Sequence, residues 1–311
     1  MTSTLVRRHG SRHETDPARL RAAARARDWT EIQERMLVPL QEAVYARVGL
    51  GPGARVLELG CGAGLGLLLA AGRGASVAGT ETERPELLAY AGRRLRSTVG
   101  AASGDGPVLG DEAWGAAGPG AGPSLVVSFR PFGCTAGDGA ALGAQLARAL
   151  DGARRGTQVV LTGWGPPERC AASGVLRAAQ RLAEPVAGPG AGRSAGRDDL
   201  EDVASAAGLR LEGSGRVSCP FGYPDQESAV RGLLSTGLLD AALAATDTAR
   251  VAKELGEALH PYTGSDGSVW LPNVFRYLVA RSVWAGARCG ARAVSRRPEP
   301  SRGARGVPCT E

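Results

Sequence analysis

Apolar residues along much of this chain follow two alternating rhythms. Short runs such as Arg55–Leu59 ("RVLEL"), Ser76–Thr80, Leu125–Phe129 ("LVVSF") and Gln158–Thr162 ("QVVLT"), with a shorter one at Val108–Gly110, have the length and β-branched content of buried strands. Between them, Leu65–Arg73, Arg84–Ser97 and Gly139–Arg154 space their apolar residues at helical intervals. Ahead of the first strand, Ile32, Met36, Leu40, Val44 and Val48 mark a helix that Asp28 or Thr30 could cap, that Pro39 must kink or divide, and that "GPG" at 51–53 ends. After the fifth strand come a helix over Cys170–Ala183, a Gly/Pro-rich surface loop, the capped helix "DDLEDVASAAGL", a sixth strand at Leu209–Ser218, helical pattern over 224–262 with "GSDGS" as a turn, and a last strand, "VFRYLVAR", at 274–281. This alternation predicts an α/β fold, a doubly wound Rossmann-like seven-stranded sheet with right-handed crossovers. The expected organisation is a mobile basic arm over 1–27, one domain over 28–284, helical insertions at 165–195 and 221–265 that cover it, and a disordered Arg/Pro/Gly tail over 285–311.

Composition narrows the function classes. No apolar run approaches 20 residues and the N-terminus has no apolar stretch of signal-peptide length, so neither a membrane span nor export is expected and a cytoplasmic location follows by default. Residues 1–28 carry seven arginines against three acids and residues 285–311 six against two; each end is +4, and the total of +6 leaves −2 between them. A nucleic-acid partner would need a basic stripe on the folded domain, so none is expected. Lys253 is the only lysine, a bias that reads as coding composition. The six cysteines include no C-x-x-C pair and only three histidines occur, so a disulfide framework, a metal site or a histidine-based triad is not expected.

The chemistry concentrates in "RVLELGCGAGLG". A strand runs into glycines at every second position and then into a helix, the local design of a cradle: glycine tolerates positive φ and lets a ligand approach the backbone. The spacing is not the dinucleotide pattern G-x-G-x-x-G, and Glu58 ahead of the first glycine would repel a pyrophosphate while suiting a cationic ligand. At this point the chain, over about residues 28–283, resembles the class I S-adenosylmethionine-dependent methyltransferases of small-molecule, specialised-metabolism type. "VLELGCGAGLG" is similar to their first motif. "VAGTETE" places Glu81 at the end of strand two, where the resemblance implies an acid on the ribose hydroxyls. "VLGDEAW" places Asp111 where it implies an acceptor for the adenine amino group. "SLVVSF" resembles the strand beneath the cofactor, and "LPNVFRYLVAR" the last, antiparallel strand. The resemblance implies S-adenosylmethionine as cofactor and S-adenosylhomocysteine as product, with Glu58, Gly60, Cys61, Gly62, Gly64, Glu81, Thr82, Asp111, Glu112 and Ser128 around it. Cys61 itself reads as a small filler.

Methyl transfer from a sulfonium is a direct displacement that needs alignment and dryness, and orientation alone can supply roughly 7–11 kcal/mol. The acceptor should lie beyond the carboxyl ends of the strands. Candidate substrate residues are Trp29, Gln33 and Met36 on the N-terminal helix, Phe129 and Phe132 in the loop after strand four, Trp164 after strand five, and Tyr223 and Tyr262 in the cover, with core packing as the alternative for each. His260, the one histidine in the folded region, and Arg130 are the candidates for a base and for an anion or phenolate clamp. A roofed site favours a small molecule over a protein or nucleic acid; a homodimer is left open. The alternative is an enzyme that binds the same cofactor yet catalyses a cyclisation or rearrangement.

Overall fold

The computed structural model describes residues 16–98, 107–110, 113, 122–132, 138–151, 153–183 and 199–283. A seven-stranded sheet runs in the order β3 (Val108–Leu109), β2 (Ser76–Thr80), β1 (Arg55–Leu59), β4 (Leu125–Phe132), β5 (Gln158–Trp164), β9 (Val274–Ser282) and β6 (Leu209–Ser218). The first five are parallel, and β9 lies antiparallel between β5 and β6. This is the expected doubly wound sheet, with the antiparallel strand in place.

Residues alternate between the two faces along each strand. Val56, Leu125, Val127 and Val160 point into one core with α2 (Val38–Val48), α3 (Leu65–Ala71) and α6 (Ala171–Gln180); Leu57, Val126, Val159 and Leu161 point into the other with α5 (Asp138–Asp151) and α7 (Asp199–Ala206). Burial on both faces explains why these strands read as continuous apolar runs. α4 (Glu86–Thr98) packs beside α3. Tyr45, fully buried on α2, donates its hydroxyl to the Gly66 carbonyl at 3.0 Å and meets Phe129 edge-on.

Three expectations change. Residues 17–27 are helical: α1 (Pro17–Asp28) starts where Asp16 accepts from the Ala18 amide and Pro17 takes the first turn, and its alanines and arginines are good helix formers. Ala26 is buried and Arg25 pairs with Asp240, so the division expected at residue 27 does not exist there; residues 1–15 and 284–311 lie outside the described residues. The second change follows from the first. One helical period does not run from 28 to 48: α1 passes into a π-turn at Trp29–Gln33 and a 3₁₀ turn at Glu34–Leu37, and Pro39 sits harmlessly in the first turn of α2. Third, a two-stranded sheet that was not expected, β7 (Phe221–Tyr223) with β8 (Val269–Leu271), brackets the region read as helix and turn. Within that region lie α8 (Gln226–Leu234), α9 (Asp240–Ala245) and α10 (Thr248–Leu259). These helices share a single buried cluster with α2, α3 and one sheet face, so the cover and the sheet are one core; residues 184–195 of the expected first insertion lie outside the described residues.

Candidate functional site

The carboxyl ends of β1, β2 and β4 meet where the strand order reverses between β1 and β4, the place where open α/β sheets leave a crevice. The ribbon after β1 has the backbone that its composition demands. Gly60, Gly62 and Gly64 have φ of +69°, +54° and +80°. A Cβ at Gly64 would lie 2.9 Å from that of Ala91 on α4, so the last glycine also permits the close approach of α3 and α4.

Glu81, at the end of β2, is buried and faces this ribbon. Its carboxylate accepts from the Gly62 amide at 3.2 Å and from the Glu83 and Arg84 amides at 3.1 Å each. Three amide bonds fix it at the start of the loop to α4 and leave part of its acceptor capacity free. A space of about 40 Å³ beside it is lined by Gly60, Glu81, Thr82, Ser128, Arg130 and Leu238 among others. Five of those six residues come from the strand ends named from the sequence, and Leu238 comes from the cover. Asp111 and Glu112 lie outside the described residues.

Glu58 is turned differently from the expectation. Its side chain lies under the first turn of α3, with a carboxylate oxygen 2.7 Å from where a Gly66 Cβ would sit, and it accepts from the Leu67 amide. Oε2 has no hydrogen-bond partner among the described residues. Burial pushes its carboxyl well above the usual carboxylate range, and the neighbouring Glu34 and Glu81 push the same way. Cys61 is buried with its amide on the Thr80 carbonyl; burial, then the same acids, raise its thiol well above the usual range, which disfavours the thiolate.

The largest departure is a residue that the sequence did not single out. Glu34, in the 3₁₀ turn, is 3% exposed and reaches the ribbon: it accepts from the Leu65 amide at 3.3 Å and from Arg94 at 2.6 Å, and Arg94 also donates to the Ala63 carbonyl at 2.9 Å. Burial raises the Glu34 carboxyl, and Arg94 opposes that rise. The indole of Trp29 comes with it, its Nε1 3.0 Å from where a Gly62 Cβ would sit. Arg84 lies over that indole, 4.4 Å from the ring centroid, and donates to the Ser235 carbonyl at 2.9 Å. Burial lowers its pKa and Glu81 counters the drop. The acids Glu34, Glu58 and Glu81 crowd the ribbon, yet no group of three such side chains among the described residues is spaced to hold a metal ion.

Several candidate substrate residues are in the core instead. Gln33 and Tyr223 are buried and satisfy each other, hydroxyl to amide oxygen, at 2.8 Å; Met36 is buried beside them in the same cluster. Phe129 is buried against Tyr45, because β4 continues as a strand through Phe132 where a loop was expected. Register shifts between Ser128 and Phe132, a bulge that bends β4 at the crevice; Phe132 pairs with Gly163. Arg130, within that bulge, pairs with Glu83 at the crevice wall. Trp164 meets Phe221 edge-on and packs tilted against Phe275. His260 is exposed at the end of α10 and does not line the space at the ribbon, and Tyr262 lines a separate groove with Trp270. A pattern of apolar spacing could not have separated these aromatics from the crevice, since core and site use the same residue types.

Fold and site together define a class: a doubly wound domain with an antiparallel seventh strand and a glycine ribbon, faced by an acid, at the switch point. No protein-family model matches the sequence, and no curated protein matches it. Solved structures do. The YcgJ protein of Bacillus subtilis is similar over 78% of this chain and 98% of its own, at 13% identity and a TM-score of 0.48. A SAM-dependent methyltransferase from Thiobacillus denitrificans, in complex with S-adenosyl-L-homocysteine, is similar over 85% and 99%, at 16% identity and 0.46. Magnesium protoporphyrin IX methyltransferase of Synechocystis, with the same product bound, is similar over 78% and 80%, at 16% and 0.42.

Proposed function

We propose that this protein binds S-adenosylmethionine at the ribbon and transfers its methyl group to a small molecule. One observation carries the reading: Glu81, at the end of β2, is held by the Gly62 amide against a ribbon whose three glycines all have positive φ, in a sheet whose seventh strand is antiparallel. The ribbon lets an adenosyl ligand lie on bare backbone, and the Glu81 carboxylate that faces it suits a cation. Glu81 is the residue assigned to the ribose hydroxyls. The bound sulfonium supplies an activated methyl group, and the chain's task is alignment and exclusion of water. Leu238 and the cover exclude water, and Arg130 is the candidate clamp for an acceptor. With His260 exposed on α10, an acceptor already nucleophilic at neutral pH is favoured. A small, covered crevice also suits a small acceptor, in keeping with specialised metabolism.

Titration calorimetry and thermal unfolding with S-adenosylmethionine, S-adenosylhomocysteine and a nicotinamide dinucleotide test the cofactor, since only the first two should bind and raise the melting temperature. Methyl-labelled cofactor tests the reaction: turnover of an acceptor without label in the product would replace methyl transfer by cyclisation or rearrangement.

A further inference from the structure

Among the described residues, the ribbon is covered by the protein's own chain. Beside Glu81 the remaining space is about 40 Å³, against the ~300–1,000 Å³ of pockets that take small ligands. Next to that space, Trp29 and Glu34 cover the ribbon at Gly62. Both approach the point above Gly62 where a side chain would begin, Trp29 Nε1 to 3.0 Å and Glu34 Oε1 to 3.5 Å. The glycine at that position keeps the backbone bare, and the indole now lies on it.

The parts that carry these two side chains are tied to each other. Arg25 and Asp28 of α1 pair with Asp240 and Arg231 of the cover helices, and Gln33 takes the Tyr223 hydroxyl. Their ties to the ribbon and its loops are local: Glu34 to Arg94 and the Leu65 amide, Arg84 over the Trp29 indole and onto the Ser235 carbonyl, and a small apolar contact of Ala26 and Trp29 with Ala63 and Leu87. The connecting stretch 29–37 changes helical period twice within nine residues, from π to 3₁₀, before α2 begins at Val38. Breaks of period within a helix mark hinges.

We propose that residues 29–37 are a displaceable plug, in which Trp29 and Glu34 hold the place over Gly62 that an adenosyl ligand needs, so that closure and ligand binding exclude each other. The proposal rests on the reading of the ribbon as the cofactor site. The closed form then lowers apparent affinity by the fraction of molecules that are open, and weakening the plug restores it.

The test combines S-adenosylhomocysteine titration of the wild type, Trp29→Ala and Glu34→Gln with hydrogen exchange over residues 17–37, with and without ligand. Glutamine keeps the acceptor for the Leu65 amide and removes the charge that holds Arg94. Both variants should bind at least ~3-fold tighter than the wild type. In the wild type, ligand should accelerate exchange in 29–37, the opposite of the protection that a direct contact gives; this measurement needs no variant to fold. Glu34→Gln should also accelerate exchange there without ligand. Binding that is unchanged or weaker in both variants, or ligand-induced protection of 29–37, overturns the plug and leaves the cofactor assignment standing. If no chain binds the ligand while Glu34→Gln still loosens 29–37, the cofactor assignment fails and the segment remains a displaceable cover of the ribbon.

Discussion

Replacing Glu58 by glutamine should change how stability depends on pH more than it changes stability at any one pH. Glu58 is 2% exposed, with Oε2 unpartnered and two further carboxylates nearby, and its folded pKa is raised well above the ordinary value. Below about pH 4.5 the carboxyl is protonated in both folded and unfolded chains and contributes nothing to the pH dependence. As pH rises past that value the unfolded chain releases the proton while the folded chain keeps it. The unfolded state then binds fewer protons, and stability falls by about 1.4 kcal/mol per pH unit until the folded group ionises too. For a domain of this size that is roughly 3–5 °C in Tm per unit. Glu58→Gln removes this term. Any misfit of the amide under α3 costs the same at every pH and only offsets the curve. The assay is urea unfolding of both proteins at several values between about pH 5 and pH 7, plotted as the difference in stability. The difference should move steadily in the variant's favour as pH rises. Two parallel curves would refute the reasoning, because they would mean that Glu58 is ionised in the folded protein as readily as in the unfolded one.

Two further outcomes are expected. Glu81→Gln places an amide N–H₂ against one of three backbone amides that now share a carboxylate, so S-adenosylhomocysteine affinity should drop ~10- to 100-fold by calorimetry, with ~1–3 kcal/mol lost in unfolding; unchanged affinity would remove Glu81 from the site. Asn273→Ala deprives the buried Ala172 amide and Leu271 carbonyl of their partners, 2.9 and 3.0 Å away, and should cost ~2–5 kcal/mol in urea unfolding with an unchanged m-value; a loss below 1 kcal/mol would mean that water replaces the side chain there.

The parts of the fold that could be read from sequence are those governed by local rules. Leu125 to Val127 and Val159 to Leu161 are buried on both faces, so their strands stand out as unbroken apolar runs. Gly60, Gly62 and Gly64 stand out because few other settings need three such glycines. The parts that were missed depend on distance along the chain. β7 and β8 have three residues each and pair across more than forty, too short for any periodicity to show. Glu34 and Arg94 are sixty positions apart, and nothing in "QERML" announces that its acid is buried on the ribbon while the next residue, Arg35, faces water. Gln33, the last residue of the π-turn at Trp29–Gln33, is in the core where a substrate contact was expected. α1 looked like a charged arm because its arginines dominate its composition; the alanines between them and the Asp16–Pro17 start carried the helical signal.

The position of β9 has a consequence for biosynthesis. Residues 274–282 are among the last of the described chain to leave the ribosome, yet they form an inner strand, with β5 on one side and β6 on the other. Until they emerge, β5 has an open edge flanked by Val159, Val160 and Leu161, and β6 has nothing to join. A nascent chain stalled before Val274 therefore carries a half-built sheet whose open inner edge is the kind that invites pairing with another chain.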